Sequence, residues 1–266
     1  MTDRTQKETT ERNTERSPLL EVCAGSYEDC LAAWNGKAKR VELNSALSAG
    51  GLTPSCATLR KAKTDTGLQV ICMVRPRAAG FCYSPAEKEV MFEEARDLLE
   101  AGADGIAFGF LNPNGSVDEE NTAKMASLIH SYGPSREAVF HRAFDVTPDP
   151  AKAVSSLIAC GIDRILTSGT KEKAEQGIPL IQKLQETFGD QIEFLAGSGV
   201  NAANAAKIIE ETGIHQVYSS CKGYRTDPTT SGNAVSYSYL SAPHEMDYDI
   251  VDPDAVEKII EALNQI

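Results

Sequence analysis

A regular alternation of short β-rich runs with amphipathic stretches constrains the fold of this chain more than any other feature. The predicted strands cover residues 19–24, 40–43, 69–74, 105–110, 137–140, 164–167, 193–196 and 216–219. The predicted helices cover residues 27–35, 55–65, 85–101, 119–132, 150–159, 173–188, 202–211 and 253–263. Eight strands alternating with eight helices predict a (β/α)8 TIM barrel, an α/β fold, in one domain over residues 18–266. A doubly wound open sheet, which usually has fewer strands and a Gly-rich first loop, is the alternative.

Two segments depart from this alternation. Residues 1–17 are almost wholly polar with no apolar core, so they predict a disordered tail rather than a secretory signal. Residues 222–252 are predicted as a long loop before the last helix, and they carry several aromatic side chains. Loops longer than about 15 residues in a compact domain are usually functional or disordered. This one could cover the barrel mouth, reach a neighbouring subunit or move freely at the surface.

The overall charge limits the classes of partner. The formal net charge is −12 and the pI is near 4.9, which argues against a nucleic-acid or anionic-membrane surface, since both need clustered lysine and arginine. No apolar run approaches the ~20 residues of a membrane helix. The seven cysteines, an odd number scattered through apolar runs, suit a reducing cytoplasm better than a disulfide framework. We therefore expect a cytoplasmic protein that binds neither nucleic acid nor membrane.

Polar side chains recur where the predicted strands end. The clearest case is the sequence Phe-His-Arg-Ala-Phe-Asp at residues 140–145, which follows a buried strand. In a barrel, the carboxyl ends of the strands and the loops after them form the face that carries the site. The polar residues expected at this face are Glu21, Cys23, Glu42, Asn44, Arg75, Arg77, His141, Arg142, Asp145, Thr167, Ser168, Ser198, Ser219 and Ser220.

Five of these residues are predicted to be catalytic. Glu21 and Glu42 lie on adjacent strands, so two close carboxylates would raise the pKa of one of them and favour acid–base work. Arg75 would pair with either glutamate, or would hold an anion or a developing oxyanion. His141 would act as acid or base, oriented by Asp145 or by a glutamate. The alternatives are a structural ion-pair cluster inside the barrel, a rim salt bridge from Arg142 to Asp145, and a core histidine.

A second group is predicted to bind a small anionic or phosphorylated molecule. The turn Gly197-Ser198-Gly199 leads from a strand towards a helix, and small residues there let backbone N–H groups approach an anion. The end of the seventh barrel strand is also a common phosphate site. The alternative is a tight turn capped by Asn201. The remaining predicted ligand-binding residues are Arg77, Arg142, Ser168 and Ser219.

The cysteines form no Cys-x-x-Cys motif and no Cys/His pair with zinc-finger spacing. Cys72 and Cys160 are expected in the core. Cys23, Cys82 and Cys221 could approach the barrel mouth, where soft thiolates would suit Cu(I).

Several motifs, in the right order along residues 19–220, resemble the CutC family. They are Leu20-Glu21-Val22-Cys23, Arg40-Val41-Glu42-Leu43, Gly50-Gly51-Leu52-Thr53-Pro54-Ser55, Arg75-Pro76-Arg77, Phe81-Cys82-Tyr83-Ser84, the 140–145 run and Ile165-Leu166-Thr167-Ser168-Gly169. The resemblance implies a single-domain TIM barrel, a cytoplasmic homo-oligomer and a link to copper homeostasis, with Cu(I) bound at Cys23. It does not imply a defined biochemical activity.

The chain departs from the family pattern at the copper ligands. The family pattern has a second cysteine where this chain has Asn44, and an amide is a poor Cu(I) ligand. It has a histidine in the eighth strand, where this chain has Tyr218, and Gly-Gly where this chain has Ala78-Ala79. The ionisable residues of the family pattern are all present, namely Glu21, Glu42, Arg75, His141, Arg142 and Asp145.

Three functions stay open at this point. The first is Cu(I) binding through Cys23 with Cys82 or Cys221. The second is an enzyme or binder of a small anionic metabolite, in which the two glutamates could instead hold a hard ion such as Mg²⁺. The third is a non-catalytic interaction protein that uses residues 222–252.

Overall fold

A computed structural model describes residues 17–266, so the predicted tail, apart from Ser17, lies outside the described residues. Eight parallel strands form a closed barrel in chain order, with β1 paired to β8. The barrel strands are β1 Leu19–Ala24, β2 Arg40–Leu43, β3 Gln69–Met73, β4 Gly105–Phe108, β5 Glu137–Phe140, β6 Arg164–Thr167, β7 Glu193–Gly197 and β8 Gln216–Ser219. The TIM-barrel prediction is confirmed, and the open sheet is excluded by the closure.

Eight α-helices surround the barrel and bury one face each against it. They are α1 Tyr27–Asn35, α2 Cys56–Asp65, α3 Pro85–Glu100, α4 Glu119–Ser131, α5 Pro150–Ala159, α6 Ala174–Phe188, α7 Ala205–Thr212 and α8 Pro253–Leu263. The strands are almost wholly buried, because one face packs on the helices and the other fills the barrel. None of the helices in residues 17–266 is long and apolar enough to cross a membrane.

Side-chain caps fix where the loops of the C-terminal face end and the helices begin. The hydroxyl of Ser26 accepts from the Asp29 N–H, and that of Ser55 from the Thr58 N–H. Ser84 forms a reciprocal capping box with Glu87. Each cap satisfies backbone donors that would otherwise lack partners and contributes about 1 kcal/mol. The loops at the mouth are therefore held at both ends, by a buried strand and by a capped helix.

The lower interior of the barrel holds a buried ionic network. The Glu21 carboxylate forms an ion pair with Nε of Arg40 at 2.5 Å and accepts from Nη2 of Arg164 at 3.2 Å, and all three residues are at most 4 % exposed. Arg164 also pairs with Glu137, and Arg40 donates to the Gln216 side chain. The network lies on the inward-facing positions of neighbouring strands and closes the barrel beneath the mouth. Part of the structural ion-pair cluster considered from the sequence is thus present, with different arginines.

Most predicted boundaries lie within two residues of the observed ones, and two larger differences have local reasons. Helix α7 begins at Ala205 instead of residue 202, because the Asn201 side chain accepts from the Ala203 N–H and closes a tight turn first. The predicted loop 222–252 contains two antiparallel strands, β9 Lys222–Thr226 and β10 Asp247–Val251. We call residues 222–252 the arm.

Candidate active site

A cavity of about 330 Å³ opens at the C-terminal face of the barrel. Its lining residues are Cys23, Glu42, Asn44, Leu47, Gly50, Met73, Arg75, Phe81, His141, Arg142, Leu166, Tyr218, Ser220, Lys222 and Asp249. They come from β1 to β3, β6 and β8, from the loops after β2, β3, β5 and β8, and from the arm. A larger cleft of about 600 Å³ lies between the starts of α4 and α5, where Asp118 and Asp149 already cap those helices. Of these two, the barrel-mouth cavity is the one lined by residues with a buried polar atom that has no hydrogen-bond partner in the described chain, namely Glu42, Arg75 and His141.

Glu42 is the central ionisable group of the cavity. It is 1 % exposed, and burial, followed by the nearby charge of Glu21, raises the pKa of its carboxyl to about 7. Oε2 accepts from the Tyr218 hydroxyl at 2.6 Å and from Asn44 Nδ2 at 3.0 Å. Oε1 has no hydrogen-bond partner among the described residues. The predicted influence of one glutamate on the pKa of the other is therefore seen at Glu42.

Asn44 and Tyr218 explain how this carboxylate is held in place. Both side chains reach the same oxygen, so the second oxygen is fixed in orientation although it is unpartnered. Gly51 allows the approach of Asn44: its φ is +84°, and a Cβ there would lie 2.5 Å from Asn44 Oδ1. Asn44 and Tyr218 are two of the positions at which the chain departs from the family pattern, and both side chains contact Glu42.

His141 lies in the cavity wall as a neutral hydrogen-bond donor. The ring is 3 % exposed, and burial, with the neighbouring Arg75 charge second, lowers the pKa of the imidazole to about 3. Nδ1 accepts from the Ala143 N–H at 3.1 Å, which assigns the proton of the neutral ring to Nε2. Nε2 has no partner among the described residues. The prediction that Asp145 or a glutamate orients His141 is wrong, because a backbone amide does so.

Arg75 is a buried cation with no carboxylate partner in the described part of the chain. Its Nη1 donates to the carbonyls of Gly50 at 3.0 Å and Gly51 at 3.2 Å, and Nη2 donates to Ala79 at 2.6 Å. The guanidinium lies over the Phe81 ring, which itself packs on His141. The predicted pairing of Arg75 with Glu21 or Glu42 is wrong: the arginine clamps two mouth loops, and its charge remains uncompensated next to the cavity.

Arg142 is a second cation of the cavity, and its guanidinium is held by hydrogen bonds to Asp145 and Ser168. Its Nε donates to Asp145 at 2.8 Å and its Nη2 to the Ser168 hydroxyl at 2.9 Å. Asp145 also accepts from Thr167 Oγ1 at 2.6 Å and from the backbone N–H groups of Ser168 and Thr170. The rim salt bridge considered from the sequence is therefore present. It leaves Nη1 of Arg142 without a partner among the described residues and fixes the direction of the guanidinium.

The base of the arm completes the rim. Lys222 pairs with Asp249 at 3.0 Å across the β9–β10 ladder, and both residues line the cavity. Further out, the Tyr224 and His244 rings stack with centroids 3.7 Å apart. The expectation that this segment contributes to the barrel mouth agrees with the position of its base.

The other predicted ligand-binding residues lie outside the cavity lining. Arg77 pairs with Glu87, and the Ser198 and Ser219 hydroxyls donate to the carbonyls of Glu172 and Val200. The Ser168 hydroxyl accepts from Arg142, and Asp145 accepts from both Arg142 and Ser168. Glu21 belongs to the buried ionic network beneath the cavity. Residues 197–199 form a turn in which Ser198 has φ +86°. A phosphate site there remains a prediction.

Strained backbone is concentrated at the mouth. Non-glycine residues with positive φ in loops that follow barrel strands are Ala46, Ala79, Thr170, Ser198 and Cys221. Such conformations cost about 1–3 kcal/mol each and persist where the surrounding structure enforces them. Their position on the face that carries the cavity is that of a functional site.

The cavity does not fit Cu(I). Cys23 is its one thiol, and burial, with Glu42 second, raises the pKa of that thiol, which opposes the thiolate that copper needs. Cys82 and Cys221 are not in the lining, and the Met73 thioether packs in an apolar cluster with Ile71, Ala107 and Val139. No group of three His, Cys, Asp or Glu side chains in residues 17–266 is arranged to hold a metal. Mg²⁺ between the two glutamates does not fit either, because two arginines occupy Glu21.

Part of the cavity lining could not be predicted from the sequence. The apolar residues Met73, Phe81 and Leu166 gave no chemical signal, and Lys222 and Asp249 meet only because the arm forms a hairpin. Tyr218 was recognisable as an odd residue on a barrel strand. Its alternation with Ser220, which also faces the mouth, is the signal that could have placed it in the site.

Together, the fold and cavity define a single-domain TIM-barrel protein with a polar pocket at the C-terminal face. The CutC family model matches residues 18–223, and the chain belongs to the CutC family. A CutC family protein of Treponema denticola is 43 % identical over 245 residues, which cover 92 % of this chain and 98 % of the relative. A human protein named copper homeostasis protein cutC homolog is 37 % identical over 207 residues, 78 % of this chain and 74 % of the relative.

Solved structures show the same architecture. CutC from Streptococcus agalactiae superposes with a TM-score of 0.71 at 32 % identity, covering 76 % of this chain and 98 % of that chain. N-(5'-phosphoribosyl)anthranilate isomerase from Pyrococcus furiosus superposes with a TM-score of 0.55 at 14 % identity, covering 94 % of this chain and 100 % of that chain. The second likeness shows the fold alone.

Proposed function

We propose that this CutC family member is an enzyme that acts on a small anionic metabolite, with Glu42 as the group that transfers protons. One observation carries the proposal: Glu42 and His141 line the same cavity, and each has a buried polar atom without a partner in the described chain. A buried polar group without a partner costs about 1–3 kcal/mol, and a ligand in the cavity would supply the missing bonds.

The charge distribution supports an anionic ligand. The whole chain has a formal charge of −12, yet the cavity wall contains three cations, Arg75, Arg142 and Lys222. Lys222 is paired with Asp249 and Arg142 with Asp145, whereas Arg75 donates only to carbonyls. An anion in the cavity would compensate the remaining positive charge, and its bonds to the guanidinium groups would be strengthened by burial.

Binding of inorganic phosphate and of malonate, measured by titration calorimetry, tests the proposal. We expect Arg142→Met to weaken binding of the preferred anion about tenfold or more, because a charge-assisted hydrogen bond is lost. The matched control is Arg96→Met, since Arg96 is 40 % and Arg142 42 % exposed and each is paired with a carboxylate. Equal affinity in both variants, or no binding of either anion by the unmodified protein, contradicts the proposal.

Copper binding at Cys23 is the competing function, and the names of the relatives are its support. We expect Cys23→Ser to leave the stoichiometry and affinity for Cu(I) unchanged, because a single half-buried thiol beside a carboxylate and an amide is a poor soft site. Anaerobic titration against a competing Cu(I) chelator measures this, with Cys82→Ser as the control for an exposed thiol. One equivalent of Cu(I) that is lost only in Cys23→Ser would restore the copper site.

The cytoplasmic location and the homo-oligomeric state belong to the same proposal. Free cysteines throughout residues 17–266 support a reducing compartment. The exposed aromatic residues of the arm, Tyr224, Tyr237 and Tyr239, support a contact with a second copy.

A further inference from the structure

We infer that the reaction in this cavity is proton transfer at a carbon next to a carbonyl group, in a small carbonyl compound that carries a phosphate or carboxylate. Glu42 takes the proton, and the Nε2–H group of His141 donates to the oxygen on which negative charge develops. The inference rests on the proposed function and assigns its reaction class.

The first argument is that the two groups have different and complementary roles. The protonation of both His141 nitrogens is defined, since Nδ1 accepts from a backbone amide and Nε2 therefore carries the proton. A ring in this state cannot accept a proton without breaking that bond, but it can donate to an oxygen. Glu42 is the group that can take a proton, through the oxygen that lacks a partner. One base and one neutral donor are what enolisation requires.

The second argument concerns the chemistry that other groups in the cavity would supply. Two-carboxylate hydrolysis needs a second available acid, but Glu21 is held by two arginines beneath the cavity and Asp249 by Lys222 and Tyr239. Nucleophilic catalysis needs a nucleophile activated by a base. The Cys23 thiol is buried beside Glu42, which opposes its ionisation. Neither arrangement is assembled here.

The third argument is the size and composition of the cavity. A volume of about 330 Å³ is at the small end of ligand pockets. The cavity therefore suits a compact ligand. Met73, Leu166 and Phe81 supply apolar surface for a carbon skeleton, and Arg75 with Arg142 supplies the positive charge for an anionic end.

The step balances without a redox partner. The C–H bond next to the carbonyl breaks, its proton goes to the Glu42 carboxylate, and its electron pair forms the C=C bond of an enolate. The carbonyl electron pair moves to the oxygen, where His141 Nε2–H donates a hydrogen bond. Glu42 then returns the proton to the same carbon, which gives exchange with solvent. If that carbon bears a hydroxyl, the hydroxyl proton can move to the enolate oxygen while Glu42 returns its proton to the former carbonyl carbon, and the product is the isomer in which carbonyl and hydroxyl have changed places.

The test is exchange of substrate C–H with solvent, followed by proton NMR in D₂O. The probes are dihydroxyacetone phosphate and pyruvate, which separate a phosphate from a carboxylate as the anionic end. We expect the protein to accelerate exchange in one probe and Glu42→Gln to slow it about 10²-fold or more. The rate should rise with pH through about 7, as Glu42 ionises. Arg96→Met serves as the control, because Arg96 pairs with Glu93 on α3 and does not line the cavity.

The outcomes separate this inference from the proposed function. Calorimetric binding of a probe without faster exchange overturns the inference and leaves the anion-binding enzyme in place. Exchange that is equally fast in Glu42→Gln also overturns it, because the base then lies elsewhere. Absence of binding of both probes and of inorganic phosphate overturns both. Thermal unfolding of Glu42→Gln checks that loss of exchange does not reflect loss of the fold.

Discussion

Replacement of Glu21 by glutamine is expected to lower the free energy of unfolding by about 3–5 kcal/mol. The carboxylate is 1 % exposed and forms ion pairs with Arg40 and Arg164, which are 4 % and 1 % exposed. Removing its charge leaves both guanidinium groups close together inside the barrel, with Glu137 as the remaining carboxylate on Arg164. Two buried cations with one counter-charge are far less favourable than the present arrangement, because desolvation is no longer offset.

Urea-induced unfolding measures this effect, and Glu28→Gln is the matched control. Glu28 also pairs with an arginine, Arg225 at 2.9 Å, but its side chain is 66 % exposed. An exposed pair contributes about 0–1 kcal/mol, so the control should change little. A loss below about 1 kcal/mol in Glu21→Gln would mean that the network is a specificity device without much bearing on stability.

Replacement of Glu42 by glutamine should have the opposite effect and stabilise the protein at pH 8. The folded-state pKa of Glu42 is raised from 4.5 to about 7, so the native state binds a proton more tightly than the unfolded chain does. Stability therefore falls as the pH rises from 4.5 through 7, and at pH 8 the ionised carboxylate costs on the order of 3 kcal/mol. Glutamine is neutral at every pH, keeps an oxygen for Tyr218 and Asn44, and removes this cost.

Unfolding of both proteins at pH 5 and pH 8 checks the sign. We expect the difference between them to be small at pH 5 and to approach its full size at pH 8, with Glu93→Gln, on the exposed surface, unchanged at both. A Glu42→Gln protein that is less stable than the unmodified protein at pH 8 would contradict the raised pKa. A group kept at such a cost is typical of a functional site.

The barrel and the face that carries its cavity could be predicted from the sequence, whereas the partners within the cavity could not. Alternation of strands and helices determines the topology, and the carboxyl ends of parallel strands necessarily meet at one face. Pairing within the barrel depends on register: Glu21 lies opposite Arg40, and Glu42 lies opposite Cys23. The two glutamates therefore occupy successive layers. Spacing along one strand shows which side a residue faces but not its depth relative to a neighbouring strand.

His141 and Asp145 illustrate a second limit. Their spacing suggested a histidine oriented by a carboxylate, but residues Arg142–Val146 form a 3-10 helix that turns Asp145 away towards Thr167 and Ser168. The N–H of Ala143, the second residue of that short helix, donates to His141 Nδ1. Backbone geometry after a strand is set by these local bonds, which a list of ionisable residues does not contain.

The arm forms part of the cavity entrance, whereas Glu42 and His141, the groups proposed to react with a ligand, belong to the barrel. Glu42 and His141 lie on or just after barrel strands, within the 18–223 span that matches the family model, whereas Asp249 of the rim lies beyond that span. Surface segments tolerate substitution and insertion better than the buried strands that support them. Substitutions in one hairpin can therefore change the entrance, and with it the choice of ligand, while Glu42, the group proposed to transfer protons, stays on a rigid scaffold that such changes do not touch.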